Sequence, residues 1–398
     1  MDPVTSHASI MSTSAPVGHF PPTQEVIVAS TVFKSSHPSG ARRRELLRNM
    51  MNGREPLAIL DPSLSPLYPE DGLALLEYCV LPAHVMQAYP FVTEPLSLDQ
   101  LQGKQRCAKC QKLPRYIGKS LVPPRKDTDM LYCRFHPGYK LNKLWTCCQQ
   151  HVSTPACSGS KQHSVQNLTE SELRALQFHT TPQHATKDAR LVIAMDCEMG
   201  TAANGDNELI RVSVIDFFTG AVLLDKLVFP LVPMAHYNTK YSGVSRSDME
   251  TARRKNQCLR GTTAARDAVM RFIGRQTIVI GHAVHNDLSS LRCIHHRIID
   301  THVLEDKFDR MQKARWEEVE ASMVGLERTQ EEIDEERKIH FLPLPDRCGA
   351  LSLKGASLRR LGRHIQTAHG HCSREDAIAS RDVAMWHALN PRLLEYLW

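Results

Sequence analysis

Asp196 and Glu198 directly follow an apolar run, Leu191–Met195, that has the length and composition of a buried strand. Strand side chains alternate, so both carboxylates face one side while Cys197 faces the other. Like charges held so close repel, and a hard cation with oxygen ligands, Mg²⁺ or Mn²⁺, is the simplest neutraliser. The alternative is that one carboxylate caps a turn and the other is solvated. Asp287 stands beyond a second apolar strand, Thr277–Ile280, where the next helix starts and where an aspartate also complements the helix dipole. Asp376 lies three residues after Ser373, the spacing of a capping box. Together the four carboxylates fall at strand ends and helix starts, where open α/β sheets carry their sites. Two metals about 3.5–4 Å apart in such a centre activate a water and stabilise the leaving oxygen of an in-line phosphodiester displacement. A base is also needed. His371, five residues before Asp376 in the loop Gly370–Asp376, carries an imidazole suited to proton transfer at neutral pH, although a loop histidine can equally be plain surface.

A second chemistry lies upstream. Cys107-x2-Cys110 followed by Cys133-x2-His136 has the residue types of a tetrahedral zinc site. Cys147, Cys148 and Cys157-x5-His163 supply a second set, in which His151 competes with His163 for the fourth place. One or two structural Zn²⁺ ions are therefore expected, the alternative being unpaired buried thiols. From Gly103 to Lys143 there are eleven Lys or Arg against two Asp, so this unit would attract a nucleic-acid backbone through sequence-independent, salt-dependent contacts. Its aromatics Tyr116, Phe135, Tyr139 and Trp145 either stack bases or form the small core.

The elements that position these residues are legible as alternating runs. Leu209–Phe217 and Ala221–Phe229 read as further strands joined at Thr219-Gly220, and Ile298–Asp300 as another. Helices are expected over Thr262–Ile273, Asp287–Cys293 and Ser373–Leu389. Strands first, then strands alternating with helices, imply an α/β fold: a mixed sheet flanked by helices. Upstream, residues 1–60 read as a disordered tail with a basic knot at Arg42–Arg44. Residues 61–102 read as a helical linker region with an apolar stretch at Leu73–Val80, and residues 103–165 as the zinc-stabilised module. Residues 166–187 form a linker with a capping box at Thr169 and Glu172, and residues 188–398 the last domain. From Asp309 to Lys338 ten acidic and six basic residues predict an exposed helical insertion, spanning about 308–345. The 398-residue chain is 42% hydrophobic and 23% charged, with net charge +6. No apolar run approaches the roughly 18–20 residues that span a bilayer, so no membrane association is expected. No secretory or mitochondrial leader is legible, and twelve cysteines then read as thiols or metal ligands of a protein of the nucleus and/or cytoplasm.

Three segments carry a family resemblance. Met195-Asp196-Cys197-Glu198-Met199-Gly200, Gly281-His282-Ala283-Val284-His285-Asn286-Asp287-Leu288 and His371-x4-Asp376 resemble, in order, the three motifs of the DEDDh exonuclease superfamily, the relatives of RNase T and the proofreading exonucleases. The branch is similar to the eukaryotic Rex-type RNA exonucleases, with further agreement at Asn238–Val244, Ile299-Asp300-Thr301, Leu351–Lys354 and Ile365-Gln366. The resemblance covers residues 188–398. It implies an RNase H-like fold and 3′→5′ removal of 5′-mononucleotides from single-stranded RNA 3′ ends with two Mg²⁺ or Mn²⁺ ions. Asp196, Glu198, Asp287 and Asp376 would be the ligands and His371 the general base. Met199 and Gly200 would line the pocket for the terminal nucleotide. The acidic insertion departs from the family pattern. Phe135-His136-Pro137-Gly138 followed by Trp145-Thr146-Cys147-Cys148 is similar to the CHORD zinc signature over residues 107–163, but its shorter start and longer end depart from it, so a protein-docking role does not carry over; a protein partner for the module stays an alternative. Two rival readings are a DNA 3′→5′ exonuclease and a zinc-dependent adaptor with a degenerate nuclease fold.

Overall fold

A computed structural model describes residues 69–113, 131–165, 167–323, 351–367 and 370–389, with residues 329, 331–333 and 349. The expected tail over 1–60, the Arg42–Arg44 knot, Tyr116 and most of the acidic segment beyond Met323 lie outside the described residues. The chain divides into Met1–Met50 and Met51–Trp398, and every described element belongs to the second unit.

In chain order, helices α1 (Pro69–Glu77), α2 (Ala83–Ala88) and α3 (Leu98–Gln102) precede the Cys/His region. There, strand β1 (Cys133–Phe135) pairs antiparallel with β4 (Ser158–Ser160), and β2 (Lys140–Leu141) with β3 (Leu144–Trp145). Helix α4 (Glu170–Leu176) starts at the expected capping box, with Thr169 and Glu172 bonded reciprocally. A short strand β5 (His179–Thr180) leads to the main sheet.

That sheet is built on β6 (Val192–Ala202), β7 (Asn207–Asp216) and β8 (Val222–Phe229), three antiparallel strands. β9 (Met234–His236) pairs with the far end of β6. Helices α5 (Thr239–Ser242) and α6 (Arg246–Arg254), strand β10 (Leu259–Arg260) and helix α7 (Gly261–Met270) follow. β11 (Ile278–Gly281) returns parallel to β6, and after α8 (His285–Leu291) and β12 (Cys293–Ile294), β13 (Ile298–Asp300) lies parallel to β11. The order is β10-β8-β7-β6-β11-β13, a mixed sheet as the alternation of strands and helices predicts. Helices α9 (Thr301–Met323), α10 (Leu353–Leu361) and α11 (Ser373–Leu389) complete the unit. No described helix is long and apolar enough to cross a membrane.

β6 and β11 are buried almost throughout because helices cover both faces, whereas β8, nearer the edge, is only partly covered. The core joins Ile193, Met195, Val212, Val214 and Val279 of the sheet to Ala265 and Val269 of α7, Leu288 and Leu291 of α8, and Leu81, Val85 and Met86 upstream. The stretch read as a linker over 61–102 therefore contributes part of the core beneath the main sheet. Leu81 donates its N–H to Ile298 at 2.8 Å, and Glu77 pairs with Arg297.

Two expectations need correction. Asp196 and Glu198 do not follow the strand but lie inside it, because β6 runs on to Ala202 in pairing with β7. The acidic helix does not begin at Asp309 and is not wholly exposed. It starts at Thr301, straight off β13, and buries Trp316. Its Glu305 accepts from Arg360 (2.8 and 3.0 Å), Arg359 (3.0 Å) and His387 (2.8 Å), tying α9 to α10 and α11. Burial alone would raise the Glu305 carboxyl, but His387 and Arg360 hold it far below its usual range.

Candidate active site

β6 brings Asp196 opposite Ser213 of β7 and Glu198 opposite Arg211, and the register shifts between Glu198 and Met199. α11 crosses beneath the same strand and supplies Asp376. Asp196, Glu198 and Asp376 each offer a carboxylate oxygen within 4.8 Å of the other two. Asp287, in the first turn of α8, stands just outside that set. Its Oδ1 accepts the Cys197 backbone N–H at 3.0 Å, between the two carboxylates of β6. This contact points the residue at the strand and accounts for more than a helix-dipole role. Ser373 and Asp376 do not form the capping box their spacing allowed. The Ser373 hydroxyl bonds Ser213 Oγ at 2.7 Å, and both Asp376 oxygens accept from Gln366 Nε2, at 3.2 and 3.1 Å.

The electrostatics are those of a site built for cations. Burial, then Asp287, Asp376 and Glu198, push Asp196 well above the ordinary aspartate range. Asp287 is raised as well, chiefly by burial and against the pull of the Cys197 N–H. Burial and the Asp376 charge raise Glu198 to about 8, despite His371 and Arg211. Arg211 relieves little of this, because its guanidinium lies on Asp225 at 2.9 and 3.0 Å. Glu198, 7% exposed, leaves Oε1 buried without a hydrogen-bond partner. An orphaned buried oxygen among crowded carboxylates is costly unless a cation sits there, so the residues fit a divalent-metal centre.

His371 places Nδ1 at 3.3 Å from Asp376 Oδ2, and its ring stays 43% exposed. The hydrogen bond to Asp376 raises its pKa, with burial opposing. Its loop is pinned by backbone: His371 donates its N–H to Tyr241 O at 2.5 Å, and a Cβ on Gly370 (φ +96°) would lie 2.8 Å from Gly243 N. Asp300 holds the loop before Asp287, accepting the N–H groups of Ala283 (2.8 Å), Val284 (3.0 Å) and His302 (2.9 Å). Gln366 and Asp300 carry no chemical signal of their own in the sequence, and only their place in family-like segments marked them. Met199 is half-buried against the core. Gly200 is buried where a Cβ would stand 2.6 Å from Met234 Cε and 3.0 Å from His236 O, so the close approach of β9 explains this glycine.

The upstream ligands also converge, but not in the sets their spacing suggested. Cys107, Cys110 and Cys133 meet His163, and His136 meets Cys147, Cys148 and Cys157, each group within 4.8 Å. Cys110 Sγ is 3.3 Å from His163 Nδ1, and Cys147 and Cys148 are each 3.6 Å from His136 Nδ1. The histidines thus exchange places, and His151 instead contacts Ser153 Oγ at 2.7 Å. The physical reason is pairing of β1 with β4, which folds the chain back and sets His163 beside Cys107 and Cys133 while the loop between encloses the second set. Three sulfurs and one imidazole suit tetrahedral zinc in each case.

No protein-family model matches the chain. Among curated proteins, RNA exonuclease 3 of Candida albicans is 27% identical over 323 residues, covering 79% of this chain and 66% of that protein. RNA exonuclease 3 of Candida glabrata is 33% identical over 184 residues, covering 43% of this chain and 44% of that protein. The chain is similar to RNA exonucleases. It spans at most about two thirds of the length of these two relatives. Among solved structures, the Saccharomyces cerevisiae Pan2 pseudoubiquitin hydrolase–RNA exonuclease module with A7 RNA matches at 16% identity over 55% of this chain and 30% of that one. Its TM-score of 0.35 is too low to bear on the site.

Proposed function

We propose that the protein is a divalent-metal-dependent 3′→5′ exoribonuclease that trims single-stranded RNA 3′ ends and releases 5′-mononucleotides. The observation that carries this is the convergence of Asp196, Glu198 and Asp376 within 4.8 Å, with Asp287 on the intervening Cys197 N–H and His371 at 3.3 Å from Asp376. Similarity to RNA exonuclease 3 proteins supports RNA as substrate. Asp196, Glu198, Asp287 and Asp376 would hold two Mg²⁺ or Mn²⁺ ions, whose bound charge activates water and stabilises the leaving oxygen. The chain's own part is to aim and to move a proton. Asp376 accepts the His371 Nδ1–H, which leaves Nε2 as the basic nitrogen that takes the proton of the attacking water. Gln366 steadies Asp376, and Asp300 steadies the turn that presents Asp287. Met199 and Gly200, beyond the shift in β6, flank the place of the terminal nucleotide. The two Cys₃His sets bind structural zinc, making the basic module a holder for RNA or a protein partner.

Purified protein with Mg²⁺ should release mononucleotides from a labelled single-stranded RNA, and Asp196→Ala should abolish release. Full activity in that variant would contradict the assignment. Matched RNA and DNA oligonucleotides competing in one reaction test the sugar preference. Binding without turnover in the wild type would favour the adaptor reading instead.

A further inference from the structure

Among the described aromatic residues of the basic module, Tyr139 is the exposed one. Trp145 stacks on His136 at 4.2 Å and 8° and donates Nε1–H to Val152 O. Phe135 packs against Cys107, Cys110 and Cys133. Tyr139 is 69% exposed. It stands at the base of the β2–β3 hairpin, whose turn residues Asn142 and Lys143 both have positive φ, 48° and 63°, as a tight hairpin turn requires. Leu141, two residues on, is 53% exposed on the same face, and Leu144 lies directly opposite it. The hairpin is braced by the second metal-ligand set. Tyr139 N–H donates to Thr146 Oγ1 at 3.0 Å and Thr146 N–H to Tyr139 O at 2.9 Å, while a Cβ on Gly138 would lie 2.5 Å from Cys147 N.

Among the described residues of the module, the charged side chains have one sign. Residues 103–113 and 131–165 contain eight Lys or Arg and no Asp or Glu. With two zinc ions each bound by three thiolates and an imidazole, about six net positive charges remain. The module also meets the nuclease next to the site: Arg106 pairs with Asp206 at the tip of the β6–β7 hairpin. Glu198 and Ala202 stand four positions apart on β6 before that tip, about 14 Å at strand rise. An RNA strand leaving the carboxylates along β6 therefore reaches the module within a few nucleotides.

We propose that the β2–β3 hairpin is an exosite for single-stranded RNA upstream of the 3′ end, with Tyr139 stacking on a base and Lys143 facing the backbone. A protein partner fits less well, because an exposed aromatic on a basic surface whose described residues include no Asp or Glu is the pairing that single-strand binders use. This rests on the exonuclease reading, but it is measured separately. Tyr139→Ala and Lys143→Asn remove the stack and the charge, and Asn tolerates the left-handed backbone at 143.

Binding is measured first, by fluorescence polarisation of a 5′-labelled 20-nucleotide RNA on the full chain without Mg²⁺ or Mn²⁺, after confirming that each variant retains two zinc ions. Loss of one stacked base is worth about 1–3 kcal/mol, so Tyr139→Ala should weaken binding about 5- to 150-fold. Lys143→Asn should lower the salt slope by about one. In turnover, Tyr139→Ala should raise KM for the 20-mer by a similar factor, leave kcat unchanged and leave a trinucleotide unaffected. Unchanged RNA binding by Tyr139→Ala with zinc retained overturns the exosite and points to a protein ligand for the hairpin. An equal KM increase for the trinucleotide also overturns it. If wild type binds RNA but never cleaves, the nuclease reading fails while the binding comparison still decides the exosite.

Discussion

The carboxylate cluster should make the metal-free protein less stable than a variant with one carboxylate neutralised. Glu198 is raised from 4.5 to about 8 in the folded chain, by burial first and then by Asp376. An acid whose folded pKa lies above its unfolded value favours folding below the unfolded value. That contribution is lost progressively as pH rises towards the folded one. For Glu198 the loss begins near pH 4.5 and is complete near pH 8. At pH 7 the unfolded side chain is ionised and the folded one still protonated, and the interval from 4.5 to 7 corresponds to about 3 kcal/mol. Glu198→Gln keeps the shape and removes the proton equilibrium. It should stabilise the metal-free protein by up to about 3 kcal/mol at pH 7, by less than about 1 kcal/mol at pH 5, and by about 5 kcal/mol above pH 8. For a cooperative unit of about 200 residues that is a rise in Tm of about 6–12 °C at pH 7. Differential scanning fluorimetry in chelator-free, Mg²⁺-free buffer reads it with the structural zinc retained. Saturating Mg²⁺ should narrow the gap, because wild type gains about 2.7 kcal/mol at a hundredfold excess over Kd and the variant gains less. A variant that melts no higher than wild type without Mg²⁺ at pH 7, together with equal responses to Mg²⁺, would refute the reasoning.

His371→Gln should lower kcat by about 10²–10⁴ while the rise in Tm with Mg²⁺ persists, since it removes the base and leaves the carboxylates. A chain that loses both would instead make His371 part of the metal set. His163→Ala should reduce bound zinc from two ions to one, whereas His151→Ala should keep both; atomic absorption on the purified variants separates them, and the reverse result would restore the order expected from spacing. Glu305→Ala strands the buried Arg360 and His387 and should cost about 3–5 kcal/mol. A urea midpoint equal to that of wild type would contradict the role given to this junction.

What was legible in the sequence followed from local rules, and what was not depended on partners distant in the chain. Helix α11 spans Ser373–Leu389 as expected, and the Thr169 and Glu172 cap is where the pattern put it, because both signals are contained within one turn of helix. Strand β6 was expected to stop at Met195, since Asp196, Glu198 and Thr201 break an apolar run. It continues because β7 supplies hydrogen bonds along its whole length, and a ladder does not depend on the polarity of the side chains it carries. The same long-range pairing decided which Cys and His side chains converge. Spacing favours neighbours in sequence, which assigns His136 to the set begun at Cys107. Folding β1 against β4 instead nests one set inside the other, and His163, thirty residues beyond Cys133, becomes the closer imidazole. The carboxylates escaped this ambiguity because each sits on an element whose direction is fixed by the sheet. Asp196 and Glu198 share a face by alternation, Asp287 enters after the parallel neighbour β11, and Asp376 enters on the helix packed across β6 and β7. Residues that only brace them, Gln366 and Asp300, bond through geometry that no local pattern encodes. Their substitution tests whether the site depends on support as much as on ligands.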